Sequence, residues 1–197
     1  MRTSRLEAFS DGVIAIIITI MVLDLKEPPG TNVAALLPVL PVLFSYVLSF
    51  IYIGIYWNNH HHMIHATRAI NGGIMWANLH LLFWLSLVPF VTRWVGQNYS
   101  AALPTALYGV VLLMAAVAYF ILQFAIIHMQ GHDSFLAGAI GRDRKGKLSM
   151  VCYVAAIGLA FVNHWLSDAL YLFVAAMWLI PDRRIVRALE TKPVQES

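Results

Sequence analysis

The sequence predicts an all-α polytopic membrane protein with six transmembrane helices. Three observations predict it. Hydrophobic residues make up 60% of the chain and charged ones only 12%, against about 45–50% and about 25% in soluble domains. Apolar stretches of about 20 residues, enough to cross a bilayer, recur along the chain. Lysine and arginine gather in alternate connections between those stretches.

The first span covers residues 4–25, with Ser4 as a candidate N-cap and Pro28-Pro29-Gly30 as its stop. The second covers 34–62, with Pro38 and Pro41 near its start and a histidine-rich far end. The third covers 70–95 and the fourth 101–129. A polar, basic loop over 130–147 leads to the fifth at 148–165 and the sixth at 168–185. One domain over 1–197 results, with no internal repeat and a short charged tail at about 186–197. Arg2 and Arg5 ahead of an apolar run resemble a signal peptide. Phe9-Ser10-Asp11 interrupts that run early, and Asp24, Lys26 and Glu27 stand where small residues would mark cleavage, so the segment reads as a retained helix.

Orientation follows from the basic residues. Eleven of the 13 lysines and arginines fall on the side of the termini, and only Lys26 and Arg93 fall on the other. Both termini are therefore expected in the cytoplasm of a multi-pass cell-membrane protein. Trp57, Trp94 and Trp165 lie near span ends, where aromatic belts form. The single cysteine, Cys152, rules out a disulfide framework or a cysteine-based metal site within one chain. No phosphate loop, nucleophile elbow or acid pair points to an enzyme. Nothing in the net charge of +3 calls for a nucleic-acid partner.

Span one carries the most information. Asp11 lies about two turns inside it, and a carboxylate in a membrane span normally faces protein or water. Six residues rotate a helix by about 240°, so Arg5 does not stack on Asp11. Its partner is expected on another helix, among Asn58, Asn59, His60, Asn78 and His80. Ile16, Ile20 and Leu23 share one stripe at i, i+4, i+7, flanked by Thr19. From the residues alone this stripe is lipid-facing, core-packed, or part of a narrow apolar ring that gates a pore by dewetting. A ring needs several subunits around an axis.

Arg5-x-x-x-Phe9-Ser10-Asp11 resembles the hallmark motif of the transmembrane protein 175 family of potassium channels. Tyr56-Trp57-x-x-His60 and Asn78-Leu-x-Leu-Leu-Phe83-x-x-x-Leu-x-Pro89-Phe90 are similar to that family as well. The likeness covers spans one to three with specific residues and spans four to six by length and hydrophobicity. It implies a potassium-permeable homotetramer with helix one of each subunit lining the pore and no Thr-Val-Gly-Tyr-Gly filter. It further implies a constriction at Ile16, further layers at Ile20 and Leu23, and a selectivity role for Thr19. Arg5, Phe9, Ser10 and Asp11 then act as structural pins, with Asn78, His80 and His60 as partners. Monovalent cations and the lipid bilayer are the expected partners, with potassium as the permeant ion and no cofactor.

Other groups are weighed beside these. His60-His61-His62-x-x-His65 has helical metal-ligand spacing, but no cysteine or nearby acid completes a site in the sequence, so no metal is expected. The run reads as a polar helix end with a conceivable pH response. His80 and His164 sit at different depths, which disfavours haem, and His80 reads as a bond from helix to helix. Asp168 reads as the N-cap of span six. Asp24 and Glu27 stand at the outer mouth of a pore, either attracting cations or as ordinary solvated charge. The alternative function is a proton-coupled secondary transporter relaying through Asp11 and His80; the repeats and broken helices usual in transporters are not evident.

Overall fold

A bilayer offers the backbone no water, so each segment must satisfy its own N–H and C=O groups as a helix. That constraint turns even the β-branched run of span one, a modest helix former in water, into helix α1 (Thr3–Leu23). The computed structural model describes residues 3–67, 69–131 and 143–179, and no strand occurs among them. After α1, a 3-10 helix over Val33–Val39 is capped by Asn32, whose side chain accepts from the Ala35 amide at 2.9 Å. It runs into α2 (Leu40–His65). Helix α3 (Gly72–Ser86), capped by Asn71, leads into α4 (Val88–Gln97). Helix α5 covers Ala102–Gln130, α6 Arg144–Leu159 and α7 His164–Leu179.

Spans one, two and four lie within a few residues of their predicted places. Ser4 sits inside the first turn of α1 and is not its cap. The predicted third span is two helices, because Pro89 has no N–H to continue the ladder. A single turn residue in helical conformation, Leu87, separates them, α4 restarts with Pro89 in its first turn, and Gly72–Gln97 together remain one apolar stretch long enough to cross a membrane. The largest shift is in the last pair. The α6–α7 turn falls at residues 160–163, where Asn163 alone is polar and Phe161 and Val162 disguise the turn as membrane span. The Val162 and Asn163 amides donate to the Leu159 carbonyl, and Asn163 Oδ1 accepts from the Trp165 amide at 3.0 Å. Asp168 is therefore one turn inside α7, 3.5 Å from His164 Nδ1, and not an N-cap.

Among the described residues, four helical stretches are long and apolar enough to cross a membrane: Thr3–Leu23, Val33–His65, Gly72–Gln97 and Ala102–Gln130. The described parts of α6 and α7 are 16 residues each, or about 24 Å at helical rise. Lys145 and Lys147, read as loop charges, belong to the opening turns of α6. Lys145 Nζ donates to the Met177 carbonyl of α7 at 3.3 Å and lies over the Trp178 ring. Of the predicted basic sites, Arg2, Arg68, Arg142, Arg183, Arg184, Arg187 and Lys192 lie outside the described residues. So do the end of the sixth span and the tail at 186–197.

Helix α5 is the hub. It packs on α3, α4, α6 and α7, while α2 lies against α4 and α7. Helix α1 attaches at one side, on α2, α3 and α4. Lipid removes the hydrophobic drive between helices, so close packing and hydrogen bonds must hold them. Buried hydroxyls do so here. Tyr52 Oη donates to the Tyr171 carbonyl (2.6 Å), joining α2 to α7. Tyr171 Oη donates to the Thr105 carbonyl (3.0 Å), joining α7 to α5. Ser49 Oγ is bonded to both Thr92 Oγ1 (2.7 Å) and Tyr108 Oη (3.0 Å), tying α2 to α4 and α5.

Two glycines permit close approach. A Cβ on Gly109 would collide with the Tyr171 hydroxyl and with Ile157 Cγ1. On Gly96 it would stand 2.9 Å from the Val42 Cα, a backbone atom. Gly96→Ala must push α4 off α2. It is expected to cost about 1–3 kcal/mol, measured as a lower thermal unfolding midpoint of the purified protein in detergent.

Candidate functional site

The face of α1 that meets the protein repeats at Leu6, Ser10, Ile14, Ile17 and Met21, each buried. This spacing of fours and threes is one helical stripe. The opposite stripe holds Arg5, Phe9, Gly12, Ile16, Thr19, Ile20 and Leu23, all exposed. Ile16 is 58% exposed, Ile20 45% and Leu23 81%. The chain thus leaves uncovered the side chains of the predicted constriction. Thr19 Oγ1 donates to the Ile16 carbonyl at 2.9 Å. Its only proton is spent inside the helix, so the hydroxyl presents oxygen lone pairs outward.

A fully buried chain of bonds fixes this rotation. His60 Nε2 meets Asn78 Oδ1 at 2.7 Å, Asn78 Nδ2 donates to Ser10 Oγ at 2.9 Å, and Ser10 Oγ donates to the Leu6 carbonyl at 2.9 Å. Asn78 Oδ1 can only accept, so His60 must carry a proton on Nε2. Three helices, α1, α2 and α3, meet at one amide. Among the candidate partners, Asn78 and His60 therefore join Ser10.

Asp11 takes neither of them, nor His80, Asn58 or Asn59. Its Oδ1 accepts from the Trp57 indole at 3.0 Å, so Trp57, read as a belt residue, is a partner of the motif. One turn away, Glu7 Oε1 lies 2.8 Å from His61 Nδ1. The acid judged missing from the histidine run is thus supplied by α1. Antiparallel geometry explains the two pairs. Four residues up α1, from Glu7 to Asp11, match four residues down α2, from His61 to Trp57. Matching i, i+4 spacings of acids and donors on adjacent spans were the available signal. His61 also stacks on His65, with ring centroids 5.9 Å apart. Among the described residues no group of three or more His, Cys, Asp or Glu side chains is placed to hold a metal.

His80 does not bridge helices. Its Nε2 accepts from Trp84 Nε1 at 2.9 Å, one turn along the same helix. Asp11 and His80 each engage a different tryptophan, and no bond between them forms the start of a proton relay. At the other end of α1, Asp24 Oδ1 lies 3.0 Å from Arg93 Nη1 on α4. Glu27 and Lys26 are exposed nearby in sequence. The four-residue motif therefore divides: Ser10 and Asp11 tie α1 to α3 and α2, while Arg5 and Phe9 project from the uncovered stripe.

Asn78→Ala strands His60 Nε2 in a dry interface, and an unpaired buried group of this kind costs about 1–3 kcal/mol; Ser10 Oγ keeps its bond to the Leu6 carbonyl. Asp11→Ala removes one bond at a half-buried position, to an exposed Trp57, and is expected to cost less. Thermal midpoints of the two purified variants, compared with the wild type, check the ranking; equal losses contradict it.

Comparison with known proteins agrees with this geometry. The family model described as endosomal/lysosomal potassium channel TMEM175 matches residues 5–89, which hold α1 to the start of α4. A potassium channel from Chryseobacterium sp. (strain P1-3) is 51% identical over 96% of this chain and 99% of its own length. One from Streptomyces collinus is 32% identical, over 82% of this chain and 84% of its own. The crystal structure of a lysosomal potassium-selective channel TMEM175 homolog from Chamaesiphon minutus superposes with a TM-score of 0.79 at 27% identity, covering 94% of this chain and 97% of that one. A multi-pass helical membrane protein with this motif, this fold and these relatives is no enzyme: the chain belongs to the TMEM175 family of potassium channels.

Proposed function

We propose that the chain forms a potassium-permeable channel in the cell membrane, as a homotetramer with both termini cytoplasmic, and that α1 of each copy lines the pore. The observation that carries this reading is the two-sided packing of α1. One stripe is locked into the subunit by Ser10 and its neighbours, and the other, with Ile16, Ile20 and Leu23, is left uncovered. The names of the similar bacterial proteins support the ion, and the lysine and arginine asymmetry supports the orientation.

In this reading four Ile16 side chains form the tightest collar, with Ile20 and Leu23 as layers above it. A ring of that kind excludes water when narrow and so blocks ions without any plug. The carbonyls of α1 remain in their own helical ladder, so no carbonyl filter replaces the hydration shell of the ion. The outward lone pairs of Thr19 are the nearest polar oxygens to the collar and supply a site for a partly dehydrated cation. Arg5 and Phe9, uncovered within one subunit, then make their contacts at the tetramer's cytoplasmic mouth. Asp24 and Glu27 face the outer mouth. Conduction is passive, with potassium as the transported ion and no cofactor taking part.

Opening requires α1 to turn or move outward, which strains the bonds to α2 and α3 near its N-terminal end. Ile16→Asn places a polar side chain in the collar and lowers the dewetting barrier. Resting potassium flux into proteoliposomes is expected to rise about tenfold, equivalent to about 1.4 kcal/mol off the barrier. Unchanged flux through an intact tetramer contradicts the gate. Wild-type flux that saturates and requires a proton gradient contradicts passive conduction.

A further inference from the structure

The charges at the C-terminal end of α1 come in equal numbers. Asp24 and Glu27 are acidic, and Lys26 and Arg93 are basic. Arg93 is the only one of the four contributed by another helix. From α4 its Nη1 reaches Asp24 Oδ1 at 3.0 Å, with the Arg93 side chain 50% exposed. An exposed pair of this kind adds little to stability, but its charge acts over the whole screening length. Asp24 directly follows the uncovered stripe of α1, beyond Leu23. It is thus the first carboxylate beyond the outer end of that stripe.

We propose that Arg93 sets the supply of cations to the pore, by neutralising Asp24 and holding the outer vestibule near zero charge. This inference rests on the channel reading above. Asp24 alone would draw cations into a low-dielectric mouth and raise their local concentration. With Arg93 against it, these four groups carry no net charge in each subunit, and none over the four subunits together. The mouth is built for modest conduction, and the positive field needed to cancel Asp24 comes from a residue that touches no ion.

Single-channel recording of the purified protein in planar bilayers tests this at two potassium chloride concentrations. One is about 0.01 M, where the screening length is about 30 Å, and the other about 1 M, where it is about 3 Å. Arg93→Gln is expected to raise unitary potassium conductance at the low concentration at least about twofold and to leave it near wild type at the high one. Asp24→Asn, which leaves Arg93 unopposed, is expected to lower it at the low concentration. The double variant returns toward wild type, and Arg93→Lys matches it. A purely mechanical pin predicts the opposite pattern: either single substitution breaks the same contact, so both shift conductance the same way and at both concentrations. That result overturns the inference. A wild type that passes no potassium overturns the channel reading itself, and this inference with it.

Discussion

A single buried amide, Asn78, decides how α1 is rotated. It receives His60 on one side and gives a proton to Ser10 on the other, with both distances under 3 Å. In a bilayer the apolar faces of a helix have no preference between lipid and protein. The isoleucines of α1 therefore do not choose their own direction. The polar contacts choose for them, since an unpaired amide or imidazole in hydrocarbon is costly and a satisfied one has only one geometry. Once Ser10 points at Asn78, Ile14, Ile17 and Met21 follow it inward by helical spacing, and Ile16, Ile20 and Leu23 are left outward.

Further contacts hold α1 on both sides of that point. Glu7 meets His61 and Asp11 meets Trp57 toward the N-terminal end, both from α2. Asp24 meets Arg93 of α4 at the other end. The middle of the helix, from Gly12 to Leu23, makes no side-chain bond to another helix among the described residues; its Thr19 bonds only the Ile16 carbonyl. Helix α1 is thus anchored toward its ends and largely apolar between them. That suits the proposed gate, since a collar that stays dry must have no polar partner of its own.

The fold was largely legible because membrane spans advertise themselves by length and composition. The failures came where apolar residues sit in a turn. Phe161 and Val162 conceal the α6–α7 connection, and an unbroken hydropathy profile conceals the turn at Leu87 ahead of Pro89. The site was legible in part. The i, i+4, i+7 spacing grouped Ile16, Ile20 and Leu23 on one face without telling whether that face is packed or uncovered, and Asn78 and His60 stood out as polar residues at matching depth. The partner of Asp11 was not, because Trp57 near a span end fits an aromatic belt equally well, and only the antiparallel register of α1 and α2 distinguishes the two roles. His80 misled for a similar reason: a histidine inside a span suggests a bridge between helices, yet Trp84 one turn away satisfies it locally. Arg93 lies 69 residues along the chain from Asp24, and no local spacing connects them.

The most direct test is disulfide trapping between subunits along the uncovered stripe. In a Cys152→Ser background, which removes the single native cysteine, Ile16→Cys is treated with copper phenanthroline in membranes and run on a non-reducing gel. Copies of α1 gathered around an axis with their isoleucines facing it give covalent dimers at this position. Ile17→Cys, on the buried stripe, gives none. A monomer band for Ile16→Cys under oxidation, with the tetramer intact, would mean that the stripe faces lipid and that α1 does not line the pore.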